Sequence, residues 1–179
     1  MTRFVALLRG INVGKAKRVA MADLRALLES LGYKDVKTLL NSGNAVFGAH
    51  SKPSTTHARN IQRSVANELG VDCVVIVKSA KEIADVVANN VLKNSQADPS
   101  RLLVALTSDS KSLLALESAA RADWGQEEVH VCKHAAYIWC ANGILASKAV
   151  AVLSGLGGTG TTRNWSTIQK LHALLRSDA

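Results

Sequence analysis

Cysteine is scarce in this chain: Cys73, Cys132 and Cys140, an odd number with no framework spacing. That excludes a disulfide-stapled secreted domain and points to a reducing compartment. Aromatic residues make up 4% of the sequence, so a surface that stacks successive nucleic-acid bases is poorly provisioned. No apolar run approaches the roughly 20 residues of a membrane span, and the first, Phe4 to Leu8, is too short for a signal-peptide core. A soluble cytoplasmic protein is the expectation. No GxSxG, HExxH or paired-carboxylate cluster occurs, and His50, His57, His130 and His172 lack recognisable partners. Familiar hydrolase chemistry is therefore not supported, no general base is identifiable, and no cofactor is implied. Acid is missing too from the start of the chain: before Asp23 there are five cations, Arg3, Arg9, Lys15, Lys17 and Arg18, and no carboxylate.

What is present is ordinary globular material. Apolar residues are 47% and charged residues 20% of 179, which excludes disorder and collagen-like classes and leaves room for one sizeable domain or two small fused ones. The net charge of +8 favours anionic partners: nucleic acid, nucleotides or phosphorylated metabolites. Residues 1–90 hold 13 Lys and Arg against 7 acids, and residues 91–179 hold 9 against 7, so the surplus lies in the first half.

Hydrophobic patterning divides the chain into elements. Phe4 to Leu8 is a wholly apolar strand. Leu24, Leu27, Leu28 and Leu31 recur at helical spacing from about Met21, with Gly32 as the stop. Val36 to Leu40 is a second strand. Asn41-Ser42-Gly43-Asn44 is a tight turn in which Gly43 and Asn44 tolerate positive φ, and Ala45 to Phe47 starts the returning strand. Ala58, Ile61, Val65 and Leu69 form a helical stripe ending at Gly70, and Cys73 to Val77 a fourth strand. This βαββαβ order is that of ferredoxin-like folds. A further helix carries Ile83, Val86 and Val87, and the polar stretch 93–100 is the best boundary, giving halves 1–92 and 93–179. Beyond it come a strand at Leu102 to Leu106, a helical face of Leu113, Leu116 and Ala120, a hairpin of Val129 to Cys132 with Ala136 to Cys140, and a helix from about Thr162 with Trp165, Ile168, Leu171 and Leu175 inward. The fold class expected is α+β, two ferredoxin-like halves with the second incomplete. Strands without polar alternation imply a sheet covered on both faces.

In a βαββαβ unit with strand order 4-1-3-2, the chain leaves strand one at the same end of the sheet where strands two and three turn. The loop Arg9 to Gly14 and the turn Ser42-Gly43-Asn44 should therefore be neighbours. Glycines leave backbone amides approachable, Asn12 and Asn44 offer side-chain amides, and Arg9 offers a planar fork suited to phosphate or carboxylate. Gly10-x-x-x-Gly14-Lys15-Ala16 is one residue short of a phosphate loop and lacks the Ser or Thr that would hold magnesium, so a nucleoside triphosphatase is rejected. Gly155-Leu156-Gly157-Gly158-Thr159-Gly160 matches a dinucleotide fingerprint only by pattern, since no strand or ribose-binding acid follows it. It does lead to Thr161-Thr162-Arg163-Asn164, read as a helix start whose free amides and arginine favour an anion, beside ordinary capping by Thr161 or Thr162. Ser147-Lys148 caps the next segment or adds a cation. Cys132, His134 and Cys140 are read as hairpin residues, with no metal site.

Ala6 to Gly14, Met21, Ser42-Gly43-Asn44, Ser147-Lys148 and Thr161-Thr162-Arg163-Asn164-Trp165-x-Thr167 together resemble the bacterial domain-of-unknown-function family 1697. The resemblance runs from end to end and implies two ferredoxin-like halves but no activity. The family's usual loop reads Gly-Gly-Lys-Asn where this chain has Gly14-Lys15-Ala16-Lys17. The expected function is binding of an anionic, phosphate-bearing small molecule through Arg9, Asn12, Gly14, Ser42, Gly43, Asn44, Lys148, Thr162, Arg163 and Asn164. A nucleic-acid module using the basic first half and an oligomerising structural protein are the alternatives.

Overall fold

A computed structural model describes residues 1–50, 52–92 and 97–177. The chain is a mixed α/β protein with two four-stranded antiparallel sheets. It divides into two compact units, Met1–Lys81 with Leu171–Ala179, and Glu82–Lys170. Residues 93–96 of the polar stretch read as a boundary lie outside the described residues.

The first unit contains β1 (Thr2–Leu8), α1 (Met21–Ser30), β2 (Lys34–Leu39), β3 (Asn44–Ala49), α2 (Ser54–Leu69) and β4 (Val75–Ser79), and α3 (Ala80–Ala88) follows it. The strands lie in the order β2-β3-β1-β4, which is the 4-1-3-2 arrangement read from the other edge. One face packs Phe4, Ala6, Leu8, Ala45, Phe47, Val75 and Val77 against Leu24, Leu27 and Leu28 of α1 and Ile61 and Val65 of α2. Full burial of each large side chain stabilises the unit by about 1.5–3 kcal/mol. Val5, Leu7, Val46 and Ile76, at the alternate strand positions, are buried as well, which accounts for the uninterrupted apolar runs. Gly70 closes α2 at φ +66, and Gly32 follows α1 at φ +85, as their positions in the sequence imply.

The boundaries shift where local chemistry differs from the apolar pattern. The fourth strand starts at Val75, two residues after the apolar run begins, and continues through Lys78 and Ser79. At the β2–β3 turn the positive-φ residues are Leu40 and Gly43, whereas Asn44 is already the first residue of β3.

In the second unit, β5 (Leu102–Thr107), α4 (Lys111–Leu114), α5 (Glu117–Ala120), β6 (Glu128–Val131), β7 (Ala136–Trp139), β8 (Gly160–Asn164) and α6 (Trp165–Arg176) follow one another, α6 running on into the residues grouped with the first unit. Its sheet has the order β6-β7-β5-β8. The expectation that the second half lacks a last strand is corrected here: Gly160-Thr161-Thr162-Arg163-Asn164 is not a helix start but a strand, paired antiparallel with β5 from Leu103↔Asn164 to Thr107↔Gly160. A polar segment gives no apolar strand signal, and pairing with the central strand decides its conformation. The expected single helix over Leu113 to Ala120 is two four-residue helices.

One face of this sheet packs Ala105 and Ala136 with Leu113, Leu116 and Leu156. On the opposite face Tyr137 is fully buried, donates a 2.6 Å hydrogen bond to the Val86 carbonyl of α3, and lies edge-on to Trp165. Burial raises the Tyr137 pKa, with Cys132 adding to the shift, so the phenol remains a neutral donor. Among the described residues no helix is long and apolar enough to cross a membrane.

Candidate functional site

The loop after β1 and the β2–β3 turn do meet. The Leu8 amide donates to the Gly43 carbonyl at 2.8 Å. Gly43 lies so close that a Cβ there would sit 2.7 Å from Ile11 Cδ1 and 2.8 Å from Leu8 Cβ, and its φ is +80. Only glycine satisfies both conditions. Ile11 is the apolar pin of the loop, buried in the first core while its neighbours Gly10 and Val13 are exposed.

Asn12 organises the rest. Its Nδ2 donates to the Val19 carbonyl at 2.8 Å and to the Asn41 carbonyl at 2.7 Å, while its Oδ1 accepts from the Val19 amide at 2.9 Å. The Asn12 amide donates to the Lys17 carbonyl at 3.0 Å, which closes residues 12–17 into a tight excursion. Both amide hydrogens of Asn12 are thus engaged inside the protein. Asn44 turns inward similarly: it is fully buried, and its Nδ2 donates to the Leu39 carbonyl at 2.7 Å and to Ser42 Oγ at 3.0 Å. These two asparagines shape the site by their hydrogen bonds to backbone and turn.

Four described non-glycine residues have positive φ, and three of them, Asn12, Lys17 and Leu40, belong to this loop and turn. Such conformations cost of order 1–3 kcal/mol each and concentrate where a fold holds a functional surface in place. Beside them is a hollow of about 370 Å³, lined by Asn12, Arg18, Val19, Ala20, Met21 and Asn41. Arg18 lines it, and Arg9, Lys15 and Lys17 are exposed on the same loop. The sequence reading missed Arg18 and Asn41 as lining residues, although the run of cations without acid before Asp23 was the available signal.

The residues expected from the second half are arranged differently. Arg163 is 8% exposed, and its Nη1 donates to Thr161 Oγ1 at 3.0 Å and to the Thr162 carbonyl at 2.7 Å. Burial lowers its pKa to about 10, which leaves it charged at neutral pH. Asn164, rather than Thr161 or Thr162, caps α6, accepting from the Thr167 amide at 2.9 Å and the Thr167 hydroxyl at 2.7 Å. Thr161 to Asn164 lie in an edge-strand ladder, so the helix start expected there falls at Trp165 instead. Ser147 caps as expected through the Val150 amide at 3.2 Å, and Lys148 is exposed. Arg9 to Asn44 belong to one compact unit and Lys148 to Asn164 to the other. Among the described residues no group of three His, Cys, Asp or Glu side chains is placed to hold a metal.

A second polar centre went unseen in the sequence. His57 of α2 is 3% exposed among Phe4, Tyr33 and Phe47, with its Nδ1 3.0 Å from Tyr33 Oη and its Nε2 without a hydrogen-bond partner. Burial lowers the His57 pKa below 6.5, and Lys52 adds to this while the His50 carbonyl opposes it without closing a hydrogen bond to Nε2. The folded state therefore holds fewer protons on this ring than the unfolded chain does at mildly acidic pH. Its contribution to stability is present above pH 6.5 and is lost as pH falls below that value. Thermal unfolding followed from pH 8 downward is expected to show this decline, and His57→Gln is expected to flatten it; equal slopes in both proteins would refute the assignment.

The fold and site define a mixed α/β protein of two antiparallel sheets with a stapled, cationic loop at one end of the first. Residues 1–137 match the family described as a protein of unknown function, DUF1697, and the chain belongs to that family. A conserved bacterial protein, SP0830 from Streptococcus pneumoniae, has a solved structure similar to this one, with a TM-score of 0.78 at 20% identity over 98% of this chain and 99% of that one. The likeness is one of fold. A search of the curated proteins finds no match.

Proposed function

We propose that this protein binds an anionic, phosphate-bearing small molecule at the loop over residues 9–19 and its neighbouring turn, and that each unit is a ferredoxin-like half. The observation that carries the binding reading is a cationic rim on a pre-shaped backbone: Arg9, Lys15, Lys17 and Arg18 are exposed on a loop stapled by Asn12 to Val19 and Asn41. A loop already held in its bound shape loses little entropy when an anion arrives. Arg18 is the favoured phosphate partner because it both lines the hollow and carries a planar fork. Gly10 and Gly14 leave open space where a side chain would stand, so an anion can approach their backbone. Arg163 drops back to a structural role in this reading, because its guanidinium hydrogen-bonds its own strand.

A nucleic-acid module draws on the same cations, but Phe4 and Phe47 are buried and stacked on each other and so offer bases no platform on the sheet. Calorimetric titration with nucleotides and phosphorylated metabolites tests the proposal. Arg18→Ala is expected to weaken the best ligand about tenfold, equivalent to roughly 1.4 kcal/mol, with the unfolding midpoint unchanged. An affinity indifferent to Arg18 would overturn the assignment. A steep salt dependence with RNA or DNA and no small-molecule binding would favour the nucleic-acid reading.

A further inference from the structure

The first sheet carries a second cavity at its other end. The loop site sits where β1 ends at Leu8 and β3 begins at Asn44. The second cavity sits where β1 begins and β3 ends, around the pair Thr2↔Ala49. Six residue steps along β1 separate the two by roughly 20 Å. The cavity measures about 190 Å³, and its lining includes Tyr33, Lys34, His50, Lys52, His57 and Asn60, with no acidic side chain among the described residues that line it. That is below the range of pockets that enclose a drug-sized ligand or a nucleotide.

Its chemistry is unusual for a gap left by packing. An ordinary void is apolar and tightly closed, whereas this one joins two lysines at an exposed mouth to a buried imidazole whose Nε2 closes no hydrogen bond, although the His50 backbone carbonyl acts on the same ring. Leaving a buried nitrogen unpaired costs about 1–3 kcal/mol, which a ligand would relieve. Tyr33 stays protonated because burial raises its pKa. Its hydroxyl can donate to His57 Nδ1, and the neutral ring then carries its hydrogen on Nε2. The aromatic ring contacts to Phe4, Tyr33 and Phe47 hold the imidazole in place.

We propose that this cavity is a binding site for a small anionic group, a phosphate or a short-chain carboxylate, held by Lys34 and Lys52 at the mouth and by His57 Nε2–H within. The site is separate from the loop and does not depend on it. The ligand's charge replaces the missing acid of the lining, and its oxygen accepts the hydrogen of Nε2. An anion there also favours the protonated ring, so binding and protonation of His57 are linked.

Imidazole NMR signals of the full-length protein, followed during titration with inorganic phosphate and separately with acetate, test the proposal. At least one of the two is expected to shift the His57 signals saturably and to raise the pH at which that ring titrates. Phosphate alone or acetate alone identifies which source of the anion the site takes. The double variant Lys34→Gln/Lys52→Gln, at two exposed positions, is expected to bind about tenfold more weakly, while Arg18→Ala leaves the His57 response intact. Absence of a saturable His57 response to both anions, or a response unchanged in the double lysine variant, would overturn the proposal. Loss of the response in Arg18→Ala alone would overturn its independence from the loop.

Discussion

Gly43→Ala is expected to lower the unfolding free energy by about 2–5 kcal/mol, the sum of a left-handed backbone forced on an L-residue and a methyl group driven into packed neighbours. The backbone part follows from φ +80, and the packing part from the 2.7 Å and 2.8 Å approaches to Ile11 and Leu8. Gly14 separates the two. It has φ +63 but open space at its Cβ position, so Gly14→Ala carries the backbone cost alone, about 1–2 kcal/mol. Urea unfolding of the two variants checks this: the Gly43 midpoint should fall clearly further. Equal midpoints would mean that the turn and the loop are not pressed together as described.

Asn12→Gly is expected to cost about 2–3 kcal/mol. Glycine keeps the positive φ of +57 without strain, so the loss isolates the side chain and its three hydrogen bonds to Val19 and Asn41, each contributing about 0.5–1.5 kcal/mol net. Water reaches part of this half-buried site and returns some of the loss. Asn12→Asp should be no better, because it keeps the acceptor for the Val19 amide and turns a carboxylate oxygen onto two backbone carbonyls. Hydrogen exchange gives the local readout: the Val19 amide is expected to lose protection in Asn12→Gly while β1 amides keep theirs. An unchanged Val19 exchange rate would show that Asn12 does not staple the loop.

Much of the first unit was legible in the sequence because its signals are redundant. The Leu24, Leu27 and Leu28 stripe, the Gly32 and Gly70 stops and the apolar β1 agree with one another, and the element order led to the strand order that brings Gly43 against Leu8. The strands of the second unit were legible until Gly160. There, threonines, an arginine and an asparagine form β8 because β5 offers an edge to pair with, which no local pattern announces. The glycine run before it, read as the approach to a helix, leads into this strand instead.

The site shows a similar division. That the loop and turn would meet followed from topology, but the direction in which the asparagine side chains point did not. Asn12 and Asn44 are polar residues in a glycine-rich segment, and sequence cannot distinguish an amide facing a ligand from one facing the backbone of its own turn. Arg163 is the same case with a charge: a buried guanidinium bonded to Thr161 and Thr162. The His57 cavity was hidden for another reason. Its wall comes from Met1, the turn after α1, the start of β2, the end of β3, His50 and Lys52 between β3 and α2, and one face of α2, so its polar groups form no motif.

Amide chemical-shift mapping tests residue by residue the proposal that the stapled loop over residues 9–19 receives a phosphate-bearing anion. Titration with the tightest-binding phosphorylated ligand is predicted to produce saturable shifts concentrated at Arg9 to Val19 and at Asn41 and Ser42, with the amides of Thr161 to Asn164 unmoved in their ladder. Shifts absent from the loop, or confined to β8 and the start of α6, would contradict it.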